Sequence, residues 1–149
     1  MPSPQHAIEF ARRARHLAVM SNTTLSPPPG MPMIRTVAMP SDTNPAGDIF
    51  GGWLMGQMDL AAGNAAARRA RGRCATIAVD GMSFLSPVHV GDEVSLYAEV
   101  IKIGNTSMKI AVEAWRRPRH EAGSTQVTKA SFTFVAIDSE GRPRQVPAE

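Results

Sequence analysis

The stretch that most restricts the fold runs from Asn44 to Gly63, NPAGDIFGGWLMGQMDLAAG, and continues as NAAARRARGR to Arg73. From Gly52 to about Arg71 it reads as one helix, Ala-rich and apolar on nearly every side as far as Ala67. A helix of that kind is buried rather than laid on a surface. It spans about 30 Å at 1.5 Å per residue, so a chain of 149 residues has to build everything else around it. Its end is cationic, with Arg68, Arg69, Arg71 and Arg73. Positive charge suits the negative end of the helix dipole.

The material available to cover this helix is strand. Residues 33–39, MIRTVAM, read as a first strand stopped by Pro40, and SDTNPAGDIFGG is a turn-rich loop. Beyond the helix the apolar period changes from 3.6 to two. CATIAVDGMSFLS reads as a strand with a bend or bulge at Gly81, and SPVHVGD as a connection. EVSLYAEVIKI places Val94, Leu96, Ala98 and Val100 on one face. Gly104-Asn105 is a hairpin signal. TSMKIAVEAW then sets Met108, Ile110, Val112 and Ala114 opposite Lys109 and Glu113, and QVTKASFTFVAI sets Ala130, Phe132, Phe134 and Ala136 opposite Lys129, Ser131 and Thr133. Connections of hairpin length imply antiparallel pairing. One antiparallel sheet wrapped around one long helix is the economical two-layer solution, an α+β fold. The final SEGRPRQVPAE is turn-like and is expected to fray.

Composition excludes several function classes. The single cysteine, Cys74, allows no intrachain disulfide, and CxxC metal spacing is absent. A reducing compartment, the cytoplasm, is the natural reading. No apolar run approaches the roughly 20 residues of a membrane span. The net charge of +3 sits in the first 35 residues, where Arg12, Arg13, Arg15 and Arg35 face only Glu9. The remainder is balanced, so the folded body has no basic face for nucleic acid. Residues 1–30 are read as a basic, proline-rich extension dispensable for activity. Residues 31–143 are read as the domain and 144–149 as a tail.

Gly51 and Gly52 strip side chains from the helix start. First-turn N–H groups carry partial positive charge and lack intrahelical acceptors. Uncovered, they can approach a carbonyl oxygen that becomes an oxyanion; they also permit tight helix–strand packing. Asp59 lies among Leu54, Met55, Met58, Leu60, Ala61 and Ala62. An unpaired buried carboxylate costs several kcal/mol, so Asp59 is expected to be paired, hydrogen-bonded or facing a cavity. It is the candidate general base or nucleophile. Gly52 and Asp59 are separated by about 10 Å of helix, which a short Asp side chain cannot cover. If both serve one reaction they come from different subunits, and two antiparallel helices in a twofold dimer would provide this.

Asn44, on the preceding loop, is a candidate for orienting a water or carbonyl, and Asp48 a candidate cap of the helix start. Asp42 reads as a loop residue. Trp53, Met55, Met58 and Phe84 are candidates for shaping an apolar pocket. None of the histidines (His6, His16, His89, His120) falls in this region, and G-x-G-x-x-G and P-loop patterns are absent.

RTVAMPSDTNPAGDIFGGWLMGQMD, VDGMSFLSPVHVGD, IGNTSMKI and ASFTFVAID together resemble the YciA-like acyl-CoA thioesterases of the hotdog-fold superfamily, over about Met33 to Pro143. The resemblance implies a hotdog fold and hydrolysis of acyl-CoA to free acid and coenzyme A. No cofactor is implied beyond the coenzyme A of the substrate. It implies Asp59 as the catalytic carboxylate, Asn44 from the neighbouring subunit as a substrate or water contact, and Gly52 as the carbonyl-polarising amide. Given such a substrate, Phe50, Gly51 and Trp53 are candidate contacts at the helix start, and the VDGMSF strand with Gly81 and Met82 is a candidate for the pantetheine amides. Coenzyme A brings phosphates, for which Lys102 and Lys109 beside the hairpin and Arg68, Arg69, Arg71 and Arg73 are candidates, with hydrogen bonds from Asn105, Thr106 and Ser107. The family assembles as dimers, often as hexamers of three dimers. Many relatives carry His-Gly-Gly where this chain has Phe50-Gly51-Gly52, and phenylalanine is the form of the YciA-like branch. The alternatives from other classes are a non-hydrolytic acyl-CoA binder or hotdog hydratase, and an arm that docks on nucleic acid or membrane.

Overall fold

The computed structural model describes residues 26–149, so the arm with His6 and His16 lies outside the described residues. Five strands and one helix follow in the order β1 (Ile34–Val37), α1 (Gly51–Ala70), β2 (Cys74–Phe84), β3 (Glu93–Ile103), β4 (Ser107–Arg117) and β5 (Thr125–Ala136). A short 3-10 turn, Pro40–Asp42, lies between β1 and α1. All pairings are antiparallel, and the sheet order is β1-β3-β4-β5-β2.

The alternation read in the sequence is the one that packs. Val94, Leu96, Met108, Ile110, Val112, Ala114, Ala130, Phe132, Phe134 and Ala136 are buried and meet Leu54, Met58, Ala61, Ala62, Ala65 and Ala66 of α1. The helical residues recur at i, i+4, i+7 and i+8, a single stripe. Alanine along it lets the helix lie close to the sheet.

Three expectations are corrected. The strands after the helix do not pair in chain order: β2 and β3 lie at different places in the sheet, separated by β5 and β4. The connection between them is therefore a crossing. It is anchored by buried Val88, by Gly91 N–H on Ala38 O, and by Asp92, whose carboxylate accepts from His89 N–H at 2.9 Å. The tail does not fray. Arg144 N–H donates to Ala136 O and Val146 N–H to Asn105 O, each at 2.9 Å, and the Val146 side chain is buried. Lastly, α1 is not covered all round within the protomer. The sheet takes one stripe, while Phe50, Gly52, Met55, Gly56, Asp59, Leu60 and Asn64 face outward.

Candidate active site

The open side of α1 is apolar where solvent ought to favour polar groups. Leu60 is 59% exposed and Met55 and Phe50 are exposed beside it. Strand β2, an edge of the sheet, continues the patch with Ile77, also 59% exposed, Val79 and Phe84. Contiguous exposed apolar surface of this kind marks a contact face, and an edge strand leaves backbone groups unpaired.

At the start of α1 the N-cap is Phe50, which makes no side-chain cap. Asp48 therefore does not cap the helix, contrary to expectation; its backbone is held by Asn44 instead. No described residue accepts from the N–H of Gly51 or Gly52, whereas Trp53 N–H already donates to Phe50 O at 3.1 Å. The two glycine amides are the free donors, and the Trp53 amide is spent. Gly52 faces open space, with nothing within 4 Å of where a Cβ would stand. The Phe84 ring lies 3.6 Å from the corresponding point on Gly51. The Trp53 side chain is half-buried against the core.

Two turns along, Asp59 is exposed in the protomer, not buried. It is nonetheless paired: the Thr76 hydroxyl on β2 donates to its Oδ1 at 2.6 Å. That bond anchors one carboxylate oxygen and leaves Oδ2 without a described partner. Nothing in the sequence singles out Thr76, since threonine is common in strands. The one available signal was the need of Asp59 for a donor.

Asn44 organises the loop before α1. Its Oδ1 accepts from Ala46 N–H at 3.0 Å and Asp48 N–H at 3.1 Å, an Asx-type turn. Its Nδ2 donors are not used among the described residues. Gly81, at φ +68°, sits where the β2–β5 register breaks between Asp80 and Ser83, so Gly81 and Met82 stand outside the ladder. Thr128 Oγ1 donates to Ser83 O at 2.7 Å and holds the bulge shut. Met82 and Trp53 pack on the core, and Met58 is wholly buried. Met58 belongs to the sheet-facing stripe and cannot line an outer pocket.

Lys102, Asn105, Thr106 and Ser107 lie at the β3–β4 hairpin. The pairing runs from Thr76 to Phe134, Met108 and Ile103, so three strand spacings, roughly 14 Å, separate Thr76 from the β3 side with Lys102, and two, roughly 10 Å, from the β4 side with Ser107. The protomer does not bring them to Asp59. Three hairpin carbonyls are occupied, Asn105 O by Val146 N–H, Thr106 O by Ala136 N–H and Ser107 O by Gly104 N–H, which leaves side chains for outside contacts. Lys102 and Lys109 are cross-strand neighbours with no carboxylate partner among the described residues.

At Cys74 burial pushes the thiol pKa up, against the opposing pull of the Arg144 charge. Among the described residues no group of three or more His, Cys, Asp or Glu side chains is placed to hold a metal ion, and no described helix is long and apolar enough to cross a membrane.

The family model of the thioesterase superfamily matches residues 46–122, a span that contains both glycine amides, Asp59 and Thr76. An uncharacterized acyl-CoA thioester hydrolase of Zymomonas mobilis is 57% identical over 120 residues, covering 80% of each chain. The acyl-CoA thioester hydrolase YciA of Escherichia coli is 47% identical over 131 residues, covering 86% of this chain and 99% of that one. The crystal structure of a hexameric thioesterase from Yersinia pestis superposes with a TM-score of 0.77 at 48% identity, over 83% of this chain and 100% of that one.

Proposed function

The chain belongs to the thioesterase superfamily, and on that premise we propose that it hydrolyses acyl-CoA thioesters to a free carboxylic acid and coenzyme A. One observation carries the catalytic assignment. Two unpartnered glycine amides and a threonine-held carboxylate lie on the same uncovered apolar face of one helix, about 10 Å apart. That separation is too long for one protomer and suits two antiparallel copies.

In the proposed site the thioester oxygen rests on the N–H groups of Gly51 and Gly52. The partner subunit's Asp59, aligned by its own Thr76, lies on the far side of the carbonyl. In one course its carboxylate takes a proton from water, whose oxygen bonds to the carbonyl carbon. Collapse breaks the C–S bond, and the proton passes to the departing thiolate. In the other course the carboxylate itself attacks, thiolate leaves, and water cleaves the resulting anhydride. Thioesters are activated acyl donors, so neither course requires a nucleophilic serine. An oxyanion donor contributes about 2.7–4 kcal/mol and general-base help about 10²–10⁴-fold. Asn44 offers its unused Nδ2 to water or substrate. Phe50 and Trp53 flank the entrance. Gly81 and Met82, freed from the ladder, are assigned to the pantetheine. Lys102, Asn105, Thr106 and Ser107 are assigned to the nucleotide end of coenzyme A, which is long enough to reach them. No cofactor is needed beyond the coenzyme A of the substrate.

The assembly proposed is a twofold dimer at minimum, closed over α1 and the β2 edge, and three such dimers in a hexamer like that of the Yersinia pestis relative. A lone free cysteine suits a reducing compartment, the cytoplasm. Acyl-chain preference is read from a thiol-release panel across chain lengths.

The decisive experiment mixes two inactive variants, Asp59→Asn and Gly52→Pro, by co-refolding or co-expression. A mixed dimer holds one site with both lesions and one with neither. Random pairing then restores about one quarter of wild-type activity. Failure to complement, with mixed dimers demonstrated by mass, would place both groups in one protomer's site or outside it.

A further inference from the structure

The outer face of the sheet, turned away from α1, carries side chains that the proposed catalytic site does not use, and of that site's residues Gly81 alone borders its cavity. Two cross-strand rows traverse it. One runs Glu99, Ala111, Ser131, Asp80, and the other Tyr97, Glu113, Lys129, Ser83. Ala111 and Ser131 are small, so the first row is a trough with an exposed carboxylate at each end. Three inter-strand steps separate Glu99 from Asp80, roughly 14 Å. The trough belongs to a cavity of about 690 Å³, and its lining holds Asp80, Glu99 and Glu113 against Lys129 alone. Glu113 accepts from Gln126 Nε2 at 2.9 Å. Asp80 and Glu99 have no ion pair among the described residues.

The chain itself leads into this trough. Met33 N–H donates to Leu96 O at 2.8 Å, pinning the entry to β1. Upstream of it, Pro28, Pro29 and Met31 form one wall of the cavity. Residues 1–25, beyond the described part, join immediately before that wall. They carry Arg12, Arg13 and Arg15 against Glu9, with Ile8, Phe10, Leu17 and Val19 as apolar company. Arg12 and Arg15 are three residues apart, at most about 10 Å of chain, and their long side chains bring the spacing of the two carboxylates within reach. Exposed ion pairs are individually weak. A short tether, however, holds the segment at an effective concentration of about millimolar, so a weak contact is populated.

We propose that the N-terminal arm docks along the outer sheet face of its own subunit, its arginines meeting Asp80 and Glu99. The arm is then a strap on the side of the sheet opposite the catalytic helix, and its basic charge is spent internally rather than on nucleic acid or membrane.

The test is limited trypsin digestion of the full chain at low salt, following cleavage after Arg12, Arg13 and Arg15 by mass spectrometry. Docking predicts cleavage at least tenfold faster in the Asp80→Lys/Glu99→Lys variant, whose melting temperature certifies its fold. A charge swap then keeps the proposal falsifiable. Combining Arg12→Glu and Arg15→Glu with Asp80→Arg and Glu99→Arg leaves Arg13 as a cleavage site and is expected to return protection to within twofold of wild type. Equal cleavage rates in all three proteins would overturn the proposal. So would protection that disappears on dilution, which would place the arm on another copy's sheet.

Discussion

At its first turn α1 leaves the N–H groups of Gly51 and Gly52 without a described acceptor, while at its last turn the carbonyls of Ala67 and Ala70 are taken up. Ala67 O receives Gly72 N–H at 3.2 Å and the N–H of Arg71, which adopts the left-handed conformation at φ 54°. Ala70 O receives Arg144 Nη2 at 2.9 Å, and the same guanidinium donates through Nε to Ile137 O at 3.0 Å. Arg69 closes the arrangement on Pro147 O at 2.6 Å. A cap at the first turn is worth about 0.5–2 kcal/mol, and this chain forgoes it with Phe50. One end of the helix is finished for stability, and the other is left unfinished where the proposed chemistry needs donors.

The contrast can be broken most severely at the open end. Gly52→Pro removes one donor at a first-turn position where proline is tolerated. It is expected to lower kcat/KM by about 10²–10³-fold with the melting temperature nearly unmoved; an active variant would remove this amide from the mechanism. The closed end answers in the other currency. Arg144→Ala is expected to cost about 1.5–3 kcal/mol of stability, as hydrogen bonds from a charged donor do. Denaturant titration reads that loss, while kcat/KM stays within twofold at temperatures where the variant is folded. Phe50→Ser, set against Phe50→Ala, sharpens the comparison with the smallest effect. The added hydroxyl can cap the free amides, so the serine variant should be more stable than the alanine one by about 1 kcal/mol and slower in thiol release. Greater stability with undiminished activity would mean that those amides are not the oxyanion donors.

Where sequence and structure agree, the reason is periodicity. Val94-Leu96, Met108-Ile110-Val112-Ala114 and Phe132-Phe134 alternate strictly, and alternate residues must share a face. Gly81 marked a bulge because only glycine takes φ +68° there without strain. Other features depend on contacts between distant segments. The β2–β5 pairing joins residues that no local pattern links, so residues 85–92 read in sequence as a simple connection. Arg144 and Val146 sit in a Pro/Gly-rich tail whose composition signals turns, and its anchoring depends on where Ala70 and Asn105 arrive in space. Met58 looked available for a pocket because an all-apolar helix does not reveal which stripe the sheet takes. Asp59 was legible as an anomaly needing a partner; that the partner is Thr76 was not.

The bare edge of β2 has a consequence for the chain as it is made. With Ile77, Val79 and Phe84 presented beside unpaired backbone, a newly synthesised protomer carries a template for joining any compatible edge. In the proposed dimer that edge is covered, so the fraction of protomers left with it open falls as protein concentration rises.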